Sequence, residues 1–237
     1  TKAAADIGGS QVWLAPGESF TVDEMLHALL LKSANDVAVA LAIDRAGSVP
    51  AFVARMNRRA AELGMTRTRF VTPSGLTYGK GPHDTTTARD VAKLSVALCR
   101  FPEALKYTST KQYILRRPGK PLELLNHNHL LESFPGCDGL KTGWTVAAHA
   151  SIVTTAKDKD IRVIAVVLGC QSPAGAKAEQ RLRDSLAADL MTQGLAKLKK
   201  IEAEKALRLA QTPARKTPVK AKKDEGFWEW LVDLFSF

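Results

Sequence analysis

Cysteine is scarce in this sequence, and long apolar runs are missing. The three cysteines, Cys99, Cys137 and Cys170, form no Cys-x-x-Cys pair. A sparse and odd number argues against a disulfide-stabilised scaffold and against a zinc site. We expect small buried thiols, although an exported chain could form one bridge. No apolar run is long enough to span a bilayer, and no secretory signal opens the sequence, whose first residues read as the interior of a domain.

Charge is unevenly distributed along the chain. The 237 residues carry a formal net charge of +10, with 45% hydrophobic and 24% charged residues, a composition typical of a globular chain with its own core. Ten basic and four acidic residues lie between 197 and 225, so this segment accounts for most of the excess. A basic segment predicts an anionic partner, such as a membrane surface, a cell-wall polymer or nucleic acid.

Hydrophobic periodicity and capping residues predict a mixture of helices and strands. Thr21 and Glu24 form a capping box that begins a helix through about residue 31. Further helices are predicted after Ser33, over 49–63 with Ser48 as its cap, over 88–99 and over 176–200. Strands are predicted over 111–117, 148–156 and 161–169, and the last two should form a hairpin through the turn 157–160.

The motif Lys141-Thr142-Gly143, followed by Trp144, carries binding chemistry. On an edge strand that faces a cleft, the lysine ammonium and the threonine hydroxyl would point at a carboxylate, and the glycine would leave room for a ligand. The backbone N–H of Trp144 would be one donor of an oxyanion hole. The β-rich stretch 147–155 is predicted as the hairpin partner, and this context favours a binding strand over a surface turn.

A second motif, Ser33-Ala34-Asn35, stands at a predicted helix start. Ser33 followed by Asp36 is itself a capping box, so a helix cap competes with a chemical role. The two roles are compatible. A hydroxyl at a helix start can relay a proton toward a leaving amine, and the Asn35 amide can donate to a substrate carbonyl. Ser33 and Asn35 are therefore the candidate catalytic residues.

Other polar residues carry weaker signals. His127 and His129 lack the partner ligands at close spacing that zinc needs, so no metal site is predicted. His27 is predicted on the polar flank of its helix. Glu123, followed by Asn126, is a weak match to the deacylating glutamate of class A β-lactamases.

Together these features resemble the D-alanyl-D-alanine carboxypeptidases of the low-molecular-mass penicillin-binding proteins, serine peptidase family S11. The resemblance covers about residues 3–195. The stretches that carry it are 7–11, 14–18, 20–22, 29–40, 56–57, 63–65, 73–76, 86–90 and 135–143. It implies an α+β, β-lactamase/transpeptidase-like fold: an antiparallel sheet flanked by helices, with a helical subdomain.

The resemblance also implies a mechanism. In that family the serine of Ser-x-x-Lys attacks the D-Ala-D-Ala bond of a peptidoglycan stem peptide, its lysine is the general base, and an acyl-enzyme forms and is hydrolysed. Ser33 and Asn35 would be the second motif, and residues 141–144 would bind the terminal carboxylate. No serine here has a lysine three residues later. We therefore expect a fold that is incomplete at the N-terminus and inactive as given, either a fragment of a carboxypeptidase or a shortened protein that has lost the reaction.

The implied partners are stem peptides ending in D-Ala-D-Ala and, for full-length relatives, β-lactams. No cofactor and no nucleic acid are implied. Two other classes stay open. One is a non-catalytic module that binds wall peptides or lipid. The other is a serine β-lactamase, which the C-terminal tail and the loop 73–76 disfavour.

Three parts are predicted along the chain. A partial penicillin-binding domain covers 1–200, a basic Pro/Lys/Ala linker covers 201–225, and an amphipathic helix covers 226–237. Acidic residues fall on one face of that helix, and aromatic and aliphatic residues cover the rest. So short a helix cannot cross a bilayer but can lie in its interface. The alternative is packing on the body or on a partner. We expect a periplasmic, extracytoplasmic protein that is peripheral on the cytoplasmic membrane.

Overall fold

The computed structural model describes residues 2–76, 81–117 and 119–211. Its helices are α1 (Lys2–Ala5), α2 (Val22–Lys32), α3 (Asn35–Ala46), α4 (Val49–Glu62), α5 (Ala88–Leu98), α6 (Pro102–Thr108), α7 (Leu130–Ser133) and α8 (Ala176–Gln211). Its strands are β1 (Gln112–Leu115), β2 (Leu122–Leu125), β3 (Cys137–Gly143), β4 (Ala150–Asp158) and β5 (Ile161–Cys170). Helices combined with antiparallel strands confirm the α+β class.

The main sheet is antiparallel with the order β3-β4-β5. β3 pairs with β4 from Cys137 opposite Ala156 to Gly143 opposite Ser151, which confirms the predicted hairpin partner of the Lys-Thr-Gly strand. β4 pairs with β5 across a turn that is shorter than the four residues predicted. Because β4 is its one neighbour among the described strands, β3 is an edge strand.

α8 covers one side of this sheet by packing on β4 and β5. The core between them consists of Leu130, Ile152, Ala156, Val163, Ala165, Ala187 and Met191. α8 continues to Gln211 rather than ending near residue 200, so the first part of the predicted linker is helical. The rest of that linker and the predicted helix 226–237 lie outside the described residues.

A second core lies between α2, α3 and the β1–β2 hairpin. It consists of Val12, Ala28, Leu31, Ala34, Val37, Leu41, Leu115 and Leu124. α2 begins with the predicted capping box, in which Glu24 N–H donates to Thr21 Oγ1 and Thr21 N–H donates to the Glu24 carboxylate. The predicted strand 111–117 is the shorter β1, and its partner β2 was not predicted.

His27 is buried in this second core region rather than on a polar flank. Its ring stacks on Tyr113 at 3.9 Å between centroids, and it meets Tyr107 edge-on at 4.9 Å. Its Nδ1 lies 2.8 Å from the Asp23 carbonyl oxygen. The prediction was wrong because the β1–β2 hairpin and α6 cover the flank that the helical pattern alone leaves open.

α3 and α4 are consecutive helices joined by a tight turn. Gly47, with φ of 72°, ends α3, and the Ser48 hydroxyl accepts from Ala51 N–H to begin α4, as the sequence predicts. Within the described ranges, no single helix is long and apolar enough to cross a membrane. α3 and α4 reach that length and hydropathy only as a pair, which is bent by 86°.

The three cysteines are free thiols in this structure. Cys170 is buried, whereas Cys99 and Cys137 are half-buried. Burial raises the pKa of Cys99 and that of Cys170. The expectation of a buried thiol is therefore confirmed for Cys170, whereas Cys99 and Cys137 are partly exposed.

Candidate functional site

A cavity of about 1310 Å³ opens where the edge strand β3 faces the start of α3. The residues of both motifs line it: Ser33, Asn35, Lys141, Thr142, Gly143 and Trp144. Loops at 9–10, 73–76 and 83–84 and the helix α8 contribute further walls. Two motifs that are far apart in the sequence therefore meet on one cavity.

Lys141 supplies a half-buried positive charge to this cavity. Its ammonium donates to the Thr142 carbonyl oxygen at 2.8 Å. Burial, and then the charge of Arg183, lower the pKa of Lys141 from 10.5 to about 8. A ligand carboxylate would stabilise this ammonium.

The residues after Lys141 form the strand edge that a ligand would meet. Thr142 is largely buried and pairs with Ile152 of β4. A Cβ at Gly143 would meet no atom within 4 Å, so this glycine keeps the edge open. Trp144 is half-exposed, and its indole N–H donates to Glu179 at 2.8 Å. This edge is suited to an extended peptide that adds itself to the sheet.

The first half of β3 is fixed by bonds around Gly139. Its carbonyl oxygen accepts from Asn128 Nδ2 at 3.1 Å and from Thr154 Oγ1 at 2.7 Å. A Cβ at Gly139 would lie 2.4 Å from Thr108 Oγ1, and that hydroxyl donates to the Asp138 carbonyl oxygen at 2.8 Å. The strand therefore reaches Lys141 in a defined position.

Ser33 is not the helix cap that the sequence predicts. It ends α2 in the left-handed conformation with φ of 58°, and Ala34 precedes α3 without a side-chain cap. The capping box with Asp36 is absent because the Asp36 carboxylate instead accepts the backbone N–H groups of Val12 at 3.2 Å and Leu14 at 3.0 Å. Ser33 lines the cavity with a hydroxyl that does not cap α3.

Asn35 begins α3 and holds the chain segment that precedes Val12. Its backbone N–H donates to the Ser10 carbonyl oxygen at 2.8 Å, and its Nδ2 donates to the Gly8 carbonyl oxygen at 3.0 Å. A Cβ at Gly9 would lie 2.5 Å from Asn35 Nδ2, so this approach needs glycine. The bond to Gly8 leaves one Nδ2 hydrogen for a ligand.

Sequence reasoning missed the positive groups around Lys141. Arg183 of α8 is 3% exposed and lines the cavity, with Nε and Nη2 at 2.9 and 2.8 Å from Asp184 Oδ1. Asp184 also lies 3.4 Å from His129 Nδ1. Burial, followed by the charge of Lys141, lowers the pKa of His127 from 6.5 to about 4. A charged residue on a surface helix is normally solvated, so no sequence signal marked Arg183.

Two weaker interpretations can be compared with the structure. Glu123 is exposed on β2, where Gln112 hydrogen-bonds to it, and it does not line the cavity. The match to a deacylating glutamate was therefore wrong. Within the described ranges, no group of three or more His, Cys, Asp or Glu is arranged to hold a metal ion.

Comparisons with known proteins agree on one family. A family model described as D-alanyl-D-alanine carboxypeptidase (Peptidase_S11) matches residues 1–172. The D-alanyl-D-alanine carboxypeptidase DacF of Bacillus subtilis is 40% identical over 171 residues, which cover 72% of this chain and 43% of the relative. The chain therefore spans less than half the length of that relative.

Solved structures share the fold. The D-alanyl-D-alanine carboxypeptidase DacD of Francisella tularensis matches with a TM-score of 0.71 at 29% identity, over 81% of this chain and 56% of that one. Penicillin-binding protein D2 of Listeria monocytogenes, in its ampicillin-bound form, matches with a TM-score of 0.66 at 33% identity. The match covers 79% of this chain and 73% of that one. These matches confirm the transpeptidase-like fold that the resemblance implied.

Proposed function

Because the chain belongs to the D-alanyl-D-alanine carboxypeptidase family, we propose that its cavity binds the D-Ala-D-Ala end of a peptidoglycan stem peptide and serves a serine-type carboxypeptidase. One observation carries the proposal: Lys141, on the edge strand β3, is a half-buried ammonium that lines the cavity. A cation in such a place is stabilised by a ligand anion. The C-terminal carboxylate of a D-Ala-D-Ala tail is that anion.

The other cavity residues have roles that follow from their positions. The hydroxyl of Thr142 joins Lys141 at the carboxylate, and Gly143 lets the tail lie along β3 as an added strand. The Trp144 backbone N–H donates to the oxygen of the carbonyl under attack. The Ser33 hydroxyl relays a proton to the leaving amine, and Asn35 donates to a carbonyl of the substrate.

The covalent step needs a nucleophile that these 237 residues do not contain, since no serine has a lysine three positions later. In the acyl-enzyme route, a serine oxygen bonds to the penultimate carbonyl carbon as its proton passes to the lysine base. The C–N bond to the terminal D-Ala then breaks, the amine takes up a proton, and water hydrolyses the ester. We expect residues 1–237 to bind the peptide without forming that ester.

Calorimetry with three Nα-acetylated tripeptides tests the proposal. One ends in D-Ala-D-Ala, one in L-Ala-L-Ala, and one in D-Ala-D-Ala carboxamide. We expect the first to bind at least about tenfold more tightly than the carboxamide, which loses the charge-assisted bond. It should also bind more tightly than the L-Ala-L-Ala peptide, whose methyl groups project to the opposite side of an extended backbone. Equal affinities for the three would overturn the assignment. A covalent band with fluorescent penicillin would show that residues 1–237 do contain a nucleophile.

A second candidate is a module that binds wall peptides without turnover, since the given residues hold both binding motifs and no Ser-x-x-Lys. That candidate predicts the same peptide preference but no penicillin labelling of the native protein isolated from its source. Labelling of the native protein would reject it.

We also propose that the protein works in the periplasm, peripheral on the cytoplasmic membrane. The support is compositional: residues 226–237 contain five aromatic and two acidic residues, and the segment before them is basic. Tryptophan favours the headgroup depth of a bilayer, and lysine favours anionic lipid.

A further inference from the structure

The loop that joins β3 to β4, residues 144–149, is tied to α8 at both of its ends. Trp144 Nε1 donates to one carboxylate oxygen of Glu179 at 2.8 Å, and His149 Nδ1 lies 2.9 Å from the other oxygen. The backbone N–H of Ser172, between β5 and α8, also donates to Glu179. One carboxylate therefore joins three chain segments at one end of the sheet.

Glu179 is 6% exposed, and a carboxylate at that depth needs hydrogen-bond donors. The bond from Trp144 lowers the pKa of Glu179 most, and the bonds from His149 and Ser172 add to it, whereas burial acts in the opposite direction. The net pKa lies below the ordinary value of 4.5. Glu179 is therefore an ionised, charge-assisted acceptor at neutral pH.

The loop has a backbone conformation that requires support. His149 has φ of 52°, which is disfavoured for a residue with a Cβ. Its N–H donates to the Thr145 carbonyl oxygen at 2.8 Å, and Ala148 N–H donates to Thr145 Oγ1 at 3.0 Å. Strained conformations persist where several contacts determine them. The bond from the His149 ring to Glu179 is one of those contacts.

We propose that Glu179 is a positioning residue for the ligand carbonyl. By holding the Trp144 indole and the His149 imidazole, it fixes the backbone that directly follows Gly143. That backbone includes the Trp144 N–H, which in the proposed function donates to the carbonyl oxygen under attack. The identity of the ligand rests on the proposed function. The positioning role of Glu179 rests on its contacts with the loop.

The test compares Glu179→Gln with Glu202→Gln on the same helix, whose side chain is exposed and 3.8 Å from Lys205. Two quantities are measured: hydrogen–deuterium exchange of amides 144–149, and the Kd of the acetylated D-Ala-D-Ala tripeptide. We expect Glu179→Gln to accelerate loop exchange and weaken the peptide about tenfold, as loss of a charge-assisted contact implies. Glu202→Gln should change neither.

A matched peptide separates positioning from a general effect on the fold. In it, the penultimate carbonyl is replaced by a methylene, so the Trp144 N–H has no acceptor. Glu179→Gln should leave the affinity for this peptide unchanged. Trp144→Phe removes the indole N–H but leaves the His149 contact, so in a double-mutant cycle Glu179→Gln should have a smaller effect in Trp144→Phe than in the wild-type chain.

Each outcome decides the proposal. Unchanged loop exchange in Glu179→Gln overturns it, and so does an equal loss of affinity for both peptides. If the wild-type chain shows no D-Ala-D-Ala preference, the proposed function fails and loop exchange alone decides the positioning role. If Glu179→Gln does not fold, Trp144→Phe and His149→Gly each remove one arm, and the same two readouts decide.

Discussion

Raising the pH should discharge the group that recognises the ligand. The lowering of the Lys141 pKa from 10.5 to about 8 corresponds to roughly 3 kcal/mol against the ammonium in the folded protein. A bound carboxylate needs that ammonium, because opposite charges stabilise each other. The affinity for the D-Ala-D-Ala tripeptide should therefore fall about tenfold between pH 7 and pH 9, as the protonated fraction falls.

Calorimetry between pH 6 and pH 9.5 measures this profile. Lys141→Arg keeps its charge at all these pH values, so its profile should be flat, as should that of the carboxamide peptide with the wild-type chain. Arg183→Gln removes the second cause of the lowered pKa and should move the midpoint upward. A flat wild-type profile, or the same fall in Lys141→Arg, would refute the reasoning.

The same shift has a consequence for stability. Between about pH 8 and pH 10.5, Lys141 binds fewer protons in the folded state than in the unfolded state, so stability rises with pH across this window. The destabilisation is fully present below pH 8 and is removed as the pH reaches 10.5. Lys141→Met should therefore raise the free energy of unfolding at pH 7 by up to roughly 3 kcal/mol. In urea denaturation, that gain should vanish above pH 10.5.

Four further changes have defined outcomes. Gly139→Ala should cost about 1–3 kcal/mol in urea denaturation, because its Cβ would overlap Thr108 Oγ1. Gly143→Ala should keep its urea midpoint but weaken the tripeptide, because its Cβ meets only the space assigned to the ligand. Asp36→Asn should cost about 1–3 kcal/mol, because Oδ2 accepts from Val12 and Leu14 N–H and Oδ1 from Val37 N–H, so an amide NH₂ would face a backbone donor on one side. Deleting 226–237 should abolish flotation with liposomes that contain anionic lipid.

Matched controls make these outcomes decisive. Gly143→Ala is the control for the stability effect at Gly139, and equal losses in both would contradict the steric argument. The exposed Asp44→Asn is the control for Asp36 and should stay within about 0.5 kcal/mol of the wild type. A tail of the same composition in scrambled order is the control for the deletion. Unchanged flotation without residues 226–237 would contradict their role as a membrane anchor.

Local signals in the sequence predicted the elements that local contacts determine. The box of Thr21 and Glu24 and the cap at Ser48 are formed by atoms a few residues apart. The Lys-Thr-Gly strand was predictable because its β-rich partner follows directly along the chain. Periodicity also predicted α4 and α5 closely, because each has a polar cap and one apolar face.

Long-range contacts decided the rest. Asp36 reads as a capping partner of Ser33, but it binds backbone groups of Val12 and Leu14, and nothing in the local pattern shows that. Arg183 and Glu179 read as the surface of a long helix, yet both are buried against the cavity end of the sheet. The sequence pattern thus located the motifs. It did not show that Arg183 lies close enough to lower the pKa of Lys141.

The position of the bound peptide is best measured in a crystal structure of the chain with the acetylated D-Ala-D-Ala tripeptide. We expect the terminal carboxylate within hydrogen-bond distance of Lys141 Nζ and Thr142 Oγ1, with the peptide extended along β3 toward Ser33 and Asn35. A peptide bound elsewhere, or one whose carboxylate points into solvent, would contradict this expectation.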